Sequence, residues 1–156
     1  MFTMFNGFHQ FGFVARDLGY ATAMLGERYG VTTFRRKRLS EWMEGAHVWV
    51  GNTMLELIVV GSGAPPIYSD YIPDDPRAVR LHHHGFSIRS AEAWEEVNRR
   101  VADSGLPVPM KGSAMDGQMH YMYVDTRADL GVYSEYVYAS GDALQYYEEI
   151  PRIHPS

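Results

Sequence analysis

The residues equipped for chemistry occur in two matched places. Near the middle of the chain, Leu81-His82-His83-His84-Gly85-Phe86-Ser87-Ile88 reads as a strand, and a helix start follows at Ser90-Ala91-Glu92. Seventy-three residues earlier, Gln10-Phe11-Gly12-Phe13-Val14-Ala15-Arg16-Asp17 has the same form. Superposing the two puts Gln10 on His83, Gly12 on Gly85, Phe13 on Phe86 and Asp17 on Ser90. The chain reads as two copies of one module, and the polar residue that opens each copy is a candidate for its chemistry.

Alternation along a strand decides which side each residue faces. His9, Phe11, Phe13 and Ala15 share one face of the first strand, and His82, His84, Phe86 and Ile88 share the equivalent face of the second. These bulky faces suit a covering helix, which makes His9, His82 and His84 hydrogen-bonded structural histidines. The opposite faces carry Gln10 and His83, each followed two residues on by a bare glycine. A register slip of one would exchange Gln10 for His9. The last strand of each module adds a carboxylate, Glu56 within Leu55-Glu56-Leu57 and Glu135 within Ser134-Glu135-Tyr136. A lone Glu in a strand usually faces solvent at an edge. Two at matched positions of a repeat, in apolar company, are costly to bury unless paired or bound to a cation. Gln10, Glu56, His83 and Glu135 together supply one nitrogen and three oxygens. That set suits one divalent ion, Zn, Ni, Co, Mn or Fe(II), with room left for water.

The elements that must position these residues follow in order. A strand at 8–15 leads through Asp17, an N-cap, into a helix at 18–29 that stops at Gly30. Strands are expected at 31–35, 47–50 and 53–60, the last two joined by the hairpin turn Gly51-Asn52. The module at 8–60 is therefore β-α-β-β-β. Residues 61–80, rich in Gly, Pro and Asp, form a connection or lid, and Tyr68, Tyr71 and Ile72 should pack it down. The module at 81–138 repeats the order: a strand, a helix at 91–102 with Trp94, Val97 and Val101 on one stripe, then strands near 107–110, 119–124 and 132–138. Residues 139–156 read as a tail of loop and docking segment. The expected whole is a single α+β domain over 1–156, built from two β-α-β-β-β modules.

Bulk properties narrow the function. The 156 residues are 46% apolar and 21% charged with a formal charge of -5, and no basic stripe suits phosphate backbones, so nucleic acid is not an expected partner. The run Arg35-Arg36-Lys37-Arg38 reads as a solvated edge, with an anion patch for a substrate tail as its other reading. With no cysteine, any metal must be held by nitrogen and oxygen. No apolar run approaches the roughly 20 residues needed to span a bilayer. The opening Met1-Phe2-Thr3-Met4 lacks a basic region and cleavage signature, so a cytoplasmic location is expected.

Taken together, Gln10-x-Gly12-Phe13-Val14-x-x-Asp17-Leu18, the Leu55-Glu56-Leu57-Ile58 strand, His83-x-Gly85-Phe86 and Asp125…Gly131…Glu135 resemble the vicinal oxygen chelate superfamily. Its members include glyoxalase I, methylmalonyl-CoA epimerase, extradiol dioxygenases and the bleomycin and fosfomycin resistance proteins. The resemblance covers roughly 8–138 and implies two β-α-β-β-β modules forming a curled mixed sheet around a metal cavity that holds a divalent ion, with ligand positions mapping onto the same four residues. Gln10 stands where an extradiol dioxygenase has a His, which counts against ring cleavage. The set matches glyoxalase I, but Val14 and Val60 replace its glutathione-binding Arg and Asn. The expected function is proton abstraction next to a metal-bound carbonyl, as a lyase or an epimerase/isomerase on a small acyl substrate not linked to glutathione. Glu135 is the first candidate base and Glu56 the second, while Asn52, Tyr121, Tyr123 and Tyr133 are candidates for shaping the substrate pocket. The alternatives are an extradiol-type dioxygenase and a ligand-sequestering protein without turnover, for which 11 tyrosines would furnish a groove. A small-molecule substrate and a second copy of the chain are the expected partners.

Overall fold

A computed structural model describes residues 3–156; the first two residues of the opening stretch lie outside the described residues. The chain divides into two compact units. One comprises Gln10–His82 and Ile150–Ser156, the other the residues up to His9 together with His83–Glu149. The divisions fall immediately before Gln10 and His83, so each unit takes its name here from that residue.

The Gln10 unit is built from β1 (Phe8–Ala15, all but its first two residues), α1 (Leu18–Tyr29), β2 (Arg35–Arg38), β3 (Met43–Val50), β4 (Thr53–Val60) and the short α2 (Pro66–Ser69). Asp17 accepts a hydrogen bond from the Tyr20 amide and starts α1, and Gly30, at φ 72°, ends it. Both were expected from residue type alone. The strand expected at 31–35 forms instead at Arg35–Arg38. The reason is the helix stop: the Val31 amide donates to Leu25 O, so the β-branched run after Gly30 is used in closing α1. Within the unit the strand order is β2-β3-β4-β1, with β1 parallel to β4 and the other pairs antiparallel. Phe13, Ala15 and Leu57 pack against Leu18, Ala21 and Leu25 of α1 on one face of this sheet. The 61–80 connection is fastened through His82, which stacks on Tyr68, meets Tyr71 edge-on and hydrogen-bonds to Ile67 O.

The His83 unit repeats the plan. It contains the end of β5 (Val79–Ile88), α3 (Ala91–Ser104), β6 (Met110–Ala114), β7 (Met119–Val124), α4 (Arg127–Leu130) and β8 (Tyr133–Ala139). Its strand order is β5-β8-β7-β6, again with the first strand parallel to the last. Phe86, Ile88, Trp94, Val97 and Val101 form its core with Met122, Val124 and Tyr136, the helix stripe expected from the sequence. Burial of each such side chain stabilises the unit by about 1.5–3 kcal/mol. The Tyr136 phenol, stacked on Phe86, is pushed up to about 12 by burial. The strand expected near 107–110 starts at Met110, since Pro107 and Pro109 have no amide to offer a ladder.

The tail is more ordered than expected. It forms α5 (Gly141–Glu148) in the His83 unit and β9 (Arg152–Ile153) in the Gln10 unit, where β9 runs parallel to β3. The overall class is α+β, with a mixed sheet and few helices. Among the described residues no helix is long and apolar enough to cross a membrane.

One glycine fixes the position of β5. Gly7 has φ 78°, its carbonyl accepts from the Ser87 amide at 2.8 Å, and a Cβ there would lie 2.2 Å from Ser87 O. Gly7→Ala should therefore cost about 1–3 kcal/mol in urea denaturation. An unchanged midpoint would show that this contact does not hold β5.

Candidate functional site

The two sheets carry the same lattice of side chains. Residues directly opposite on neighbouring strands share a face. In the Gln10 unit, Gly12 of β1 lies opposite Glu56 of β4, Glu56 opposite His47 of β3, and His47 opposite Arg35 of β2. In the His83 unit, Gly85 of β5 lies opposite Glu135 of β8, Glu135 opposite Tyr123 of β7, and Tyr123 opposite Met110 of β6. Gln10 and His83 stand two residues before their glycines, on the same faces. Both carboxylates belong to interior strands, β4 between β3 and β1 and β8 between β7 and β5. The edge position usual for a strand Glu is thus excluded for both.

Within the Gln10 unit the contacts are close. Gln10, only 2% exposed, donates from Nε2 to Glu56 Oε1 at 3.0 Å. His47, 3% exposed, is hydrogen-bonded through Nε2 to Glu56 Oε2 at 2.6 Å. Both oxygens of Glu56 are therefore engaged. A carboxylate in such a place loses several kcal/mol of hydration, and donors of this kind offset the loss.

Within the His83 unit, fully buried His83 places Nε2 3.2 Å from Glu135 Oε2. The Tyr123 ring meets the His83 ring edge-on, centroids 5.2 Å apart, and fixes its plane. Tyr133 lies opposite His83 in the β5–β8 register and is buried. Tyr121 shares the Tyr123 face, its hydroxyl over Gly112, where a Cβ would lie 2.6 Å from it. Asn52 stands apart: it is exposed in the β3–β4 turn, four residues along the strand from Glu56.

The neighbouring histidines do other work. His84 hydrogen-bonds to Ser134 Oγ at 2.6 Å, and Ser134 in turn contacts Thr126 Oγ1. Burial, and then the charge of His83, hold the His84 imidazole below its ordinary range. That reading of His82 and His84 as structural matches the expectation.

The donors fit a divalent cation by their chemistry. Glu56 in one unit, and His83 and Glu135 in the other, can each offer one ligand atom, a carboxylate oxygen from each Glu and an imidazole nitrogen from His83. Thiolate-seeking ions have nothing to bind here.

His47 is the residue that sequence reasoning passed over. A signal was present, because a two-residue turn at Gly51-Asn52 fixes the register of its hairpin. With Val50 opposite Thr53, counting back along both strands brings His47 opposite Glu56.

These paired β-α-β-β-β modules define a glyoxalase-like fold. Solved structures that share it include methylmalonyl-CoA epimerases, enzymes of the vicinal oxygen chelate superfamily. One, in complex with methylmalonyl-CoA and NH4+, is 16% identical, with a TM-score of 0.62 over 87% of this chain and 96% of that chain. A Streptomyces coelicolor epimerase variant in complex with 2-nitronate-propionyl-CoA gives the same identity, TM-score and coverage. The Mycobacterium tuberculosis epimerase is 12% identical, with a TM-score of 0.63 over 93% of this chain and 97% of that chain. No protein-family model and no curated protein matches the sequence.

The His47–Glu56 contact can be measured directly. A double-mutant cycle of His47→Ala and Glu56→Gln, read by urea denaturation of the metal-free protein, should give a coupling of about 1.5–3 kcal/mol. A coupling near zero would mean that His47 does not hold the carboxylate.

Proposed function

We propose that the protein is a divalent-metal-dependent enzyme that removes a proton from the carbon next to a carbonyl and returns it, as an epimerase or isomerase on a small acyl substrate. The observation that carries this reading is the pair of sequestered carboxylates, Glu56 and Glu135, at matched positions of two modules, each in register with a bare glycine. The fold shared with methylmalonyl-CoA epimerases favours epimerisation over the lyase option.

On this reading Gln10, Glu56, His83 and Glu135 hold one ion. The chemistry it supplies when bound is Lewis acidity toward the carbonyl oxygen, where negative charge collects as the proton leaves. Glu135 takes the proton through a carboxylate oxygen, and the electron pair of the broken C–H bond moves toward the carbonyl. For inversion Glu56 enters the cycle protonated and Glu135 ionised: Glu56 gives its proton to the opposite face of the same carbon, so the two carboxyls leave the cycle with their protonation exchanged. His47 keeps Glu56 in place during this exchange. Gly12 and Gly85, opposite Glu56 and Glu135, place no side chain beside the carboxylates, and Tyr123 sets the plane of the His83 imidazole, with Tyr133 opposite His83 in the register. The sequence reading placed Asn52 and Tyr121 in the pocket as well, and we retain Tyr121, which shares the Tyr123 face.

The test uses methylmalonyl-CoA and related acyl compounds in deuterated water, with the protein loaded with Mn(II) or Co(II). Deuterium should appear at the carbon next to the carbonyl in at least one of them. Glu135→Gln should slow this exchange by roughly 10²–10⁴-fold. His83→Ala should lower metal content as measured on the purified protein. Full metal content with no exchange in any compound would remove the enzymatic reading and favour a protein that binds without turnover.

A further inference from the structure

The chain holds three asparagines, and their surroundings differ in what governs the chemical lifetime of that side chain. An asparagine is lost when the amide nitrogen of the next residue attacks its Cγ. The attack needs a carboxamide free to turn, an uncommitted N–H on the next residue and little bulk beside it. Asn98 lacks all three: Nδ2 donates to Trp94 O at 2.7 Å, Oδ1 accepts from Lys111, and α3 continues through Arg99. Asn52 is exposed, but its successor Thr53 is β-branched and opens β4 opposite Val50. Asn6 is followed by Gly7 and is exposed in the turn before β1. Among the described residues no hydrogen bond holds its carboxamide or the Gly7 amide. The rest of this turn is held within the His83 unit. Gly7 O accepts from the Ser87 amide near the end of β5, and Phe5 and Phe8 pack on Phe86 with centroids 5.5 and 5.8 Å away.

We infer that Asn6 is a self-modification site, converted through attack by the Gly7 nitrogen into aspartate and isoaspartate, and that the conversion releases the end of β5. The step balances with water as the only co-reactant. A bond forms between the Gly7 nitrogen and Asn6 Cγ while the Cγ–Nδ2 bond breaks. The carboxamide nitrogen leaves as ammonia, taking the Gly7 amide proton, and a succinimide ring remains. Water then opens the ring. Cleavage at Cγ gives aspartate, and cleavage at the main-chain carbonyl gives isoaspartate, whose backbone runs through the β-carbon. Nothing is oxidised or reduced. Glycine at position 7 presents no side chain to crowd the ring as it closes. Isoaspartate inserts one extra bond into the main chain just before Gly7 and adds a negative charge. Gly7 has no slack to absorb that bond: its φ is 78°, and a Cβ on it would lie 2.2 Å from Ser87 O. Its carbonyl therefore leaves the Ser87 amide, in the strand that carries His83 and Gly85.

The test ages the full chain in mildly alkaline buffer, as wild type and as Asn6→Ser, beside a synthetic peptide of residues 3–9. Peptide mapping by mass spectrometry follows each asparagine. In the wild type Asn6 should exchange NH2 for OH, with isoaspartate the larger product, while Asn52 and Asn98 stay intact. Hydrogen exchange at the Ser87 amide should then be about tenfold faster in the aged wild type than in the fresh protein. Ageing should leave that amide unchanged in Asn6→Ser. The variant also controls for Asp116-Gly117, which has a bare successor too, although a carboxylate is a poorer electrophile than a carboxamide. An Asn6 that survives while the free peptide converts overturns the inference, because the fold then protects the pair. So does conversion of Asn52 ahead of Asn6. Full conversion at Asn6 with Ser87 exchange unaltered overturns the release of β5.

Discussion

A carboxylate on an interior strand has to be met by donors or cations, and this chain accepts that demand twice. Glu56 and Glu135 sit in interior strands of their units, with side chains only 12% and 11% exposed. The neighbours of each are arranged around the resulting charge: an amide and an imidazole on Glu56, an imidazole on Glu135. A glycine lies opposite each of them in the register, Gly12 beside Glu56 and Gly85 beside Glu135. Much else in the fold is explicable as the scaffold for these two groups. α1 and α3 cover the opposite faces, packing on Phe13 and Leu57 in one unit and on Phe86 in the other.

Repetition makes the arrangement economical to specify. Each module places its first strand parallel to its last, which brings a residue near the start of the module beside one near its end. Gln10 and Glu56 are 46 residues apart in the chain and hydrogen-bonded in space. The modules have then diverged where function could differ. His47 in one corresponds to Tyr123 in the other, and Arg35 to Met110, while the positions that face the carboxylates stay comparable.

Much of this was legible in the sequence because it depends on local chemistry. Asp17 and Gly30 bound α1 at the residues expected, since a capping carboxylate and a left-handed stop act within a few residues. Alternation put Gln10 and His83 on the faces that also carry Glu56 and Glu135, because a strand with one covered face has little freedom of register. What escaped depended on partners distant in the chain. β2 begins at Arg35 and not Val31 because the helix stop claims the Val31 amide. β9 is two residues long and has no pattern of its own; only the exposed flank of β3 makes it a strand. His47 stayed hidden for a different reason. Its register was computable from the hairpin turn, but a lone histidine in an apolar strand carries no signal until its opposite number is identified.

The placement of β9 has a consequence for how the chain behaves when damaged. β2 pairs with β3 only from Glu44 to His47, and beyond it the flank of β3 is covered by the tail: the Trp49 amide donates to Pro151 O, the Gly51 amide to Ile153 O, and the Arg152 guanidinium lies over the Trp49 ring. A protease that trimmed these last few residues would lay open a short, aromatic strand flank next to His47. Such a flank is a template for pairing with other chains. A clipped molecule would thus combine an intact array of site side chains with a new adhesive margin, and be lost to clumping before its chemistry failed.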